Sequence, residues 1–411
     1  MSELESAIAA AVRAAEPYAT AVIVGVVREG REEFRCHGNL ERPGRGPMSR
    51  CTPDTVFELG SVSKTFTALL LAEMAAGGEL ALNDPVEKHL PTDWQPVTVR
   101  SGPSADPWRG SSAGVWPRSR SRSRSPSRQP EPEPIRLLHL ATHTSGLPRL
   151  PPGLLLGAAR NWSGNPYAAF GEEQLRTALA RTTVRHPPGS RYRYSNYGVG
   201  LLGRLLAETG GLPYGHLLAE RVCRPLGLAA TGCSPDSPVR PDSPEPPVLA
   251  TGYRRGRALP PWRIPGLPGA GAIRSSGADL LRFLRAHLDG SAHLDGGAHL
   301  DGGALDGGAH LDGPQPAEGS ATLKEALSEV QRARLRLPRS ADEMCLVWNR
   351  RHSGGRDLYF HTGGTRGFTA FVGFAPEAAT AVAVLANTGP TFDGRFVQAG
   401  YEVLRTAGRP V

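Results

Sequence analysis

The sequence predicts an α/β (α+β) protein whose one sheet is drawn from both ends of the chain, with a helical part inserted between them. Two observations carry this. Runs of β-branched and aromatic residues occur near the start of the chain and again in its last third, and the stretch between them is patterned at the helical period. Strand signals at both ends with helices in the middle imply one sheet completed by the returning chain.

The elements follow in order. Ser2 to Ala15 reads as an amphipathic surface helix, acidic where a secretory leader needs basic residues and broken by Arg13. The expectation is therefore a mature N-terminus and a cytoplasmic protein. Ala21–Val27 and Glu33–Cys36 read as strands joined through a turn at Gly30. After Gly60, the spacing of Phe66, Leu69, Leu70 and Met74 predicts a helix with one apolar stripe. Residues 98–134, rich in Ser, Pro and Arg, are expected to be a disordered insert, because they hold too little apolar surface to order themselves. A second insert is expected at 287–320, where His-Leu-Asp-Gly recurs at His287, His293, His299 and His310. Its glycine density predicts a turn-rich loop, and tandem duplication accounts for its regularity better than metal binding does. Met344–Trp348, Phe368–Phe374 and Ala381–Ala386 supply further strands, and a last helix from about 396 to 404 would pack on the sheet. The expected division is a sheet domain of 1–85 and 331–411, and a mainly helical domain of 86–330 that contains both inserts.

Composition narrows the function. The chain has 411 residues, 39% hydrophobic and 21% charged, as a globular protein should. No apolar run approaches the roughly 18 residues of a spanning helix, so no membrane partner is expected. The formal charge of +8 resides largely in Arg109, Arg118, Arg120, Arg122, Arg124 and Arg128, inside the first insert. It marks an insert and not a nucleic-acid-binding face. Cys36, Cys51, Cys223, Cys233 and Cys345 are odd in number and unpaired in spacing, which argues for free thiols and against a zinc site.

The chemistry starts at Ser61-Val-Ser-Lys64. Residues at i and i+3 share a helical face, roughly 5–6 Å apart at Cβ, close enough for the lysine amine to take or relay the serine proton. The positive end of the helix would favour negative charge developing on Ser61. Tyr194-Ser-Asn196 follows, and then His361-Thr-Gly363. In this order the three motifs resemble those of the serine β-lactamases and penicillin-binding proteins: S-x-x-K, then Y-x-N, then K-T-G or its H-T-G variant. The chain is most similar to class C β-lactamases, Streptomyces-type D-Ala-D-Ala carboxypeptidases and related esterases. Leu138–Leu147 (with Thr142-His-Thr-Ser-Gly146), Asp84–Leu90, Gly269–Leu280 and Gly363–Phe368 share the likeness.

The resemblance implies an antiparallel sheet flanked by helices, an inserted all-helical domain, and a cleft between the two. It implies catalysis by Ser61 as nucleophile, Lys64 as base if burial lowers its pKa, and Tyr194 as proton donor to the leaving group. Asn196, His361, Thr362 and Gly363 would bind substrate, and the backbone N–H groups of Ser61 and Gly364 would form the oxyanion hole. Where class C enzymes usually carry lysine, His361 would be only partly cationic at neutral pH and so a weaker clamp on a carboxylate. His139 and His143 read as structural. No cofactor or metal is implied, and the partner expected is a small molecule. The implied activity is hydrolysis of an ester, β-lactam or amide through an acyl-enzyme. Two alternatives stay open: a D-Ala-D-Ala carboxypeptidase or D-amino-acid peptidase, and a β-lactam-binding sensor of low turnover.

Overall fold

The computed structural model describes residues 2–41, 49–99, 133–154, 165–233, 248–291, 321–338 and 340–409. Most of the expected first insert, and of the second beyond Ser291, lies outside the described residues, as do His293, His299 and His310.

Eight strands form one antiparallel sheet: β1 (Ala21–Arg28), β2 (Arg31–Gly38), β3 (Leu335–Arg336), β4 (Glu343–Met344), β5 (Asn349–Ser353), β6 (Arg356–Gly364), β7 (Thr369–Ala375) and β8 (Thr380–Ala386). Their order is β2-β1-β8-β7-β6-β5-β4-β3, so strands from the two chain ends meet where β1 pairs with β8, Val22 opposite Ala386. The period-2 alternation of β1 decides what covers each face. Val22, Val24 and Val26 pack with α1 (Glu3–Ala15) and α6 (Arg395–Ala407) on one face. Ile23 and Val27 face the larger core, with α2 (Ser63–Ala76) and α4 (Gly277–Ser291). Further helices among the described residues include α3 (Asn196–Gly210), α5 (Ala321–Glu329) and the nine-residue Glu172–Ala180. The fold is thus a mixed α/β one, an antiparallel sheet with flanking helices. No helix among the described residues is long and apolar enough to cross a membrane.

Three local expectations change. The helix after Gly60 carries no stripe: α2 is buried on every face from Ser63 to Met74, and Phe66 stacks on Phe283 of α4 at 3.9 Å. His287 is not in a loop. It is a fully buried residue of α4, donating from Nδ1 to the Phe283 carbonyl and packed edge-on against Trp348. Its neighbours in α4 are apolar, and that burial outweighs the loop signal of the Asp-Gly pairs that follow. The expected strand 344–348 shortens to Glu343–Met344, because the chain turns at 345–348, where Val347 adopts φ +67°. At the edge of the first insert, Thr98–Val99 pairs with Thr183–Val184.

Candidate active site

Ser61 lies in a single 3-10 turn, Gly60–Val62, immediately ahead of α2. Two glycine contacts set that turn against β6. Gly60 has φ +52°, a region that costs most side chains energy, and a Cβ there would fall 2.5 Å from the Gly364 backbone. A Cβ on Gly363 would fall 2.0 Å from the Leu59 carbonyl oxygen and 3.1 Å from the Ser61 nitrogen. The motif glycines are therefore needed for the backbone of β6 to reach the serine turn.

Lys64, one turn on, is completely buried. Its Nζ donates to Ser61 Oγ at 3.0 Å and to the Ala270 carbonyl at 2.7 Å. Burial, with the Arg149 guanidinium second, lowers its pKa well below the ordinary lysine value. Tyr194 donates its hydroxyl to Ser61 Oγ at 2.7 Å, and Lys64 Nζ lies 5.1 Å from the centre of its ring. Burial raises the Tyr194 phenol, partly offset by the Ser61 hydrogen bond and by Arg149. Of the neighbouring tyrosines, Tyr197 turns into the core and meets Thr182 at 3.2 Å. So Ser61, Lys64 and Tyr194 share one hydrogen-bonded cluster.

Asn196 opens α3 beside Tyr194, but its amide nitrogen donates to the Tyr167 hydroxyl at 3.2 Å, not toward Lys64. Its Oδ1 is buried without a partner among the described residues. His361 is buried on the β6 face that carries Gly363, and its Nδ1 also lacks a partner among the described residues. Burial first, and the nearby Lys64 second, lower it to about 3. The expectation of a partly cationic histidine is thereby corrected: His361 is neutral at any ordinary pH. Strand alternation turns Thr362 to the opposite face, where it lines a cavity of about 640 Å³ with Phe360, Phe371 and Tyr401.

The backbone of β6 changes character along its length. Up to Phe360 it pairs with β5 on one side and β7 on the other. Beyond Phe360, β5 has ended, and no strand among the described residues pairs with that edge of His361–Gly364. Thr365 N–H donates to the Phe368 carbonyl across the β6–β7 turn at 3.0 Å. By antiparallel alternation, Gly364 one residue earlier directs its N–H and C=O away from β7, to the open edge. This edge lies against the Ser61 turn, so the N–H groups of Ser61 and Gly364 belong to one small region.

Sequence reasoning missed several supports. Glu58 is buried, accepts from Thr365 Oγ1 at 2.8 Å and from Trp262 N–H at 2.6 Å, and so ties the end of β6 to the chain entering the serine turn. Ala270 holds Lys64, and its glycine-rich neighbourhood was the available signal. His143, read as structural from the sequence, sits at φ +58° with its ring 4.5 Å from that of Tyr194, and its Nδ1 accepts the Ser195 N–H at 3.3 Å. Arg149 stacks its guanidinium 5.3 Å above the Tyr194 ring.

A mixed α/β fold with a buried lysine and a tyrosine converging on one serine defines a class of hydrolase. The Beta-lactamase family matches residues 10–405, and the chain belongs to it. It is 29% identical over 271 residues to the D-alanyl-D-alanine-carboxypeptidase/endopeptidase AmpH of Escherichia coli, covering 66% of this chain and 58% of that protein. It is 28% identical over 274 residues to a Beta-lactamase of Pseudomonas fluorescens, covering 64% of this chain and 59% of the relative. The chain thus spans less than two thirds of the length of these relatives. The class C β-lactamase structure from Rhodobacter sphaeroides superposes with a TM-score of 0.68 at 22% identity, covering 98% of this chain and 99% of that one, a likeness of fold.

Proposed function

We propose that the protein is a serine acyl hydrolase of the class C β-lactamase type, acting on an ester, β-lactam or amide through an acyl-enzyme on Ser61. The observation that carries this reading is the fully buried Lys64 amine, 3.0 Å from Ser61 Oγ and depressed in pKa. An amine whose charged form burial disfavours, at that distance, can act as a base for the hydroxyl proton.

In acylation, Ser61 Oγ bonds to the substrate carbonyl carbon as its proton passes to Lys64 Nζ. The carbonyl oxygen takes the negative charge between the N–H groups of Ser61 and Gly364, where one lost donor costs about 10²–10³ in rate. The bond to the leaving group then breaks. Tyr194, linked to the same oxygen at 2.7 Å, protonates the leaving atom and recovers the proton from Lys64. Deacylation repeats the sequence with water as nucleophile and Ser61 Oγ as leaving group. The side chains of Asn196 and His361 would engage the substrate; their Oδ1 and Nδ1 are buried and have no partner among the described residues. Thr362 would contribute through the open backbone edge of β6, and Gly363 through the close approach to the serine turn that its missing side chain allows. The division into a sheet domain and a helical domain, with substrate entering between them, is part of the same proposal.

The second reading, a D-Ala-D-Ala carboxypeptidase, is favoured by the likeness to AmpH. One experiment addresses all readings. A fluorescent penicillin and a p-nitrophenyl ester are each followed by intact mass, in wild type and Ser61→Ala. The proposal expects a covalent adduct that Ser61→Ala abolishes. Rapid loss of the penicillin adduct supports a β-lactamase, and a durable adduct with turnover of D-alanyl peptides supports a carboxypeptidase. A durable adduct with no turnover of any substrate supports a sensor. Adduct formation surviving in Ser61→Ala would refute the nucleophile.

A further inference from the structure

Arg149 is a permanent cation beside the Ser61 cluster that none of the steps above uses. Its position is built and not incidental. The Arg149 carbonyl accepts the N–H groups of Asn196 at 2.9 Å and Tyr197 at 3.3 Å, which fixes the residue against the start of α3. Its exposed side chain folds back so that the guanidinium lies over the Tyr194 ring. Its charge is felt inside the cluster: it helps to lower Lys64 and partly offsets the rise that burial imposes on the phenols of Tyr167 and Tyr194.

An exposed arginine is ordinarily solvated or paired on the surface. This one has no carboxylate partner among the described residues. Stacking on the tyrosine occupies one face of the guanidinium and leaves its N–H edge open, the geometry that takes a carboxylate in two parallel hydrogen bonds. Across the cluster, neutral His361 holds no charge for an anion.

We propose that Arg149 is a specificity-determining residue that binds a carboxylate of the substrate, so that the enzyme prefers anionic acyl donors or anionic leaving groups to neutral ones. This rests on Ser61 being the acylated residue. A bound carboxylate would also relieve the repulsion between Arg149 and a Lys64 that has taken the serine proton, so anion binding and proton transfer would reinforce each other.

The test compares kcat/KM in two matched pairs of esters. p-Nitrophenyl hemiglutarate against p-nitrophenyl valerate places the charge on the acyl side. 3-Carboxyphenyl butyrate against 3-carbamoylphenyl butyrate places it on the leaving group. In at least one pair, Arg149→Ala should lower the anionic-to-neutral ratio by about tenfold or more, chiefly through KM, as loss of a charge-assisted contact predicts. Arg149→Lys should retain part of the preference, and Arg149→Glu should invert it. The pair that responds identifies the side of the substrate. Ratios unmoved in both pairs for Arg149→Ala and Arg149→Glu would overturn the proposal. Should wild type fail to acylate Ser61 with any ester, the fault would lie with the nucleophile, and glutarate binding measured by calorimetry decides instead. Binding lost in Arg149→Glu upholds the carboxylate site, and equal binding refutes it.

Discussion

Lys64 is the residue whose setting says most about chemistry. A lysine with no exposure at all keeps its amine in a low-dielectric core, and desolvation disfavours the ammonium. Its folded pKa lies below the unfolded value of ~10.4, so between the two the unfolded chain binds the extra proton. Stability should therefore rise with pH across that window and fall as pH drops through it. Lys64→Met should abolish acylation and flatten the slope, which urea midpoints measured from neutral to alkaline pH will show. In wild type, kcat/KM should rise with pH through the lowered Lys64 pKa. His361 gives the contrasting case. Held at about 3, it carries no charge at working pH. The kcat/KM ratio of an anionic to a neutral ester should then stay level from pH 5 to 8. A fall in that ratio near an ordinary histidine pKa of ~6.5 would show an imidazolium holding the substrate. Residue type predicted the titration of His361 wrongly because a sequence shows the group and not its burial.

Among the elements, β6 places Gly363 against the serine turn, and this makes the strand sensitive to one methyl group. Gly363→Ala forces a Cβ to within 2.0 Å of the Leu59 carbonyl unless backbone moves. It should destabilise the protein by about 1–3 kcal/mol and separate the N–H groups of Ser61 and Gly364. Thermal melts and kcat on a p-nitrophenyl ester will check both, and a variant of unchanged kcat would deny that β6 sits where the reaction occurs. The elements differ in how far they could be read from residues. Runs such as Ala21–Val27 and Ala381–Ala386 announce strands because both faces are buried in apolar surroundings. β5, Asn-Arg-Arg-His-Ser, has no such pattern, since its polar side chains pair with Asp342 and Asp357 instead of entering the core. Its signal was Gly354-Gly355, both at positive φ, the two-residue turn that joins β5 to β6. The three motifs around Ser61 were legible because chemistry restricts their residue types. Glu58 and Arg149 were not, because each acts through a contact that spacing alone does not reveal.

At the scale of the whole molecule, two chain ends meeting in one sheet could be anticipated from strand signals at both ends, whereas the register Val22 to Ala386 could not. Strand pairing across so long an interval depends on which apolar faces match after folding. That closure has a consequence for how the protein comes into being. β1 and β2 leave the ribosome about 350 residues before β8, the neighbour that completes β1. A two-stranded hairpin is marginal alone, so the early product waits, its apolar face uncovered, until the final strands and α6 emerge. Chain length between partners also slows the search. Ribosome-stalled chains that present everything up to residue 375 should remain digestible by a dilute protease throughout β1. Chains that also present 380–407 should become resistant as one unit. Early resistance in the shorter chains would mean that the first two strands find a temporary cover during synthesis.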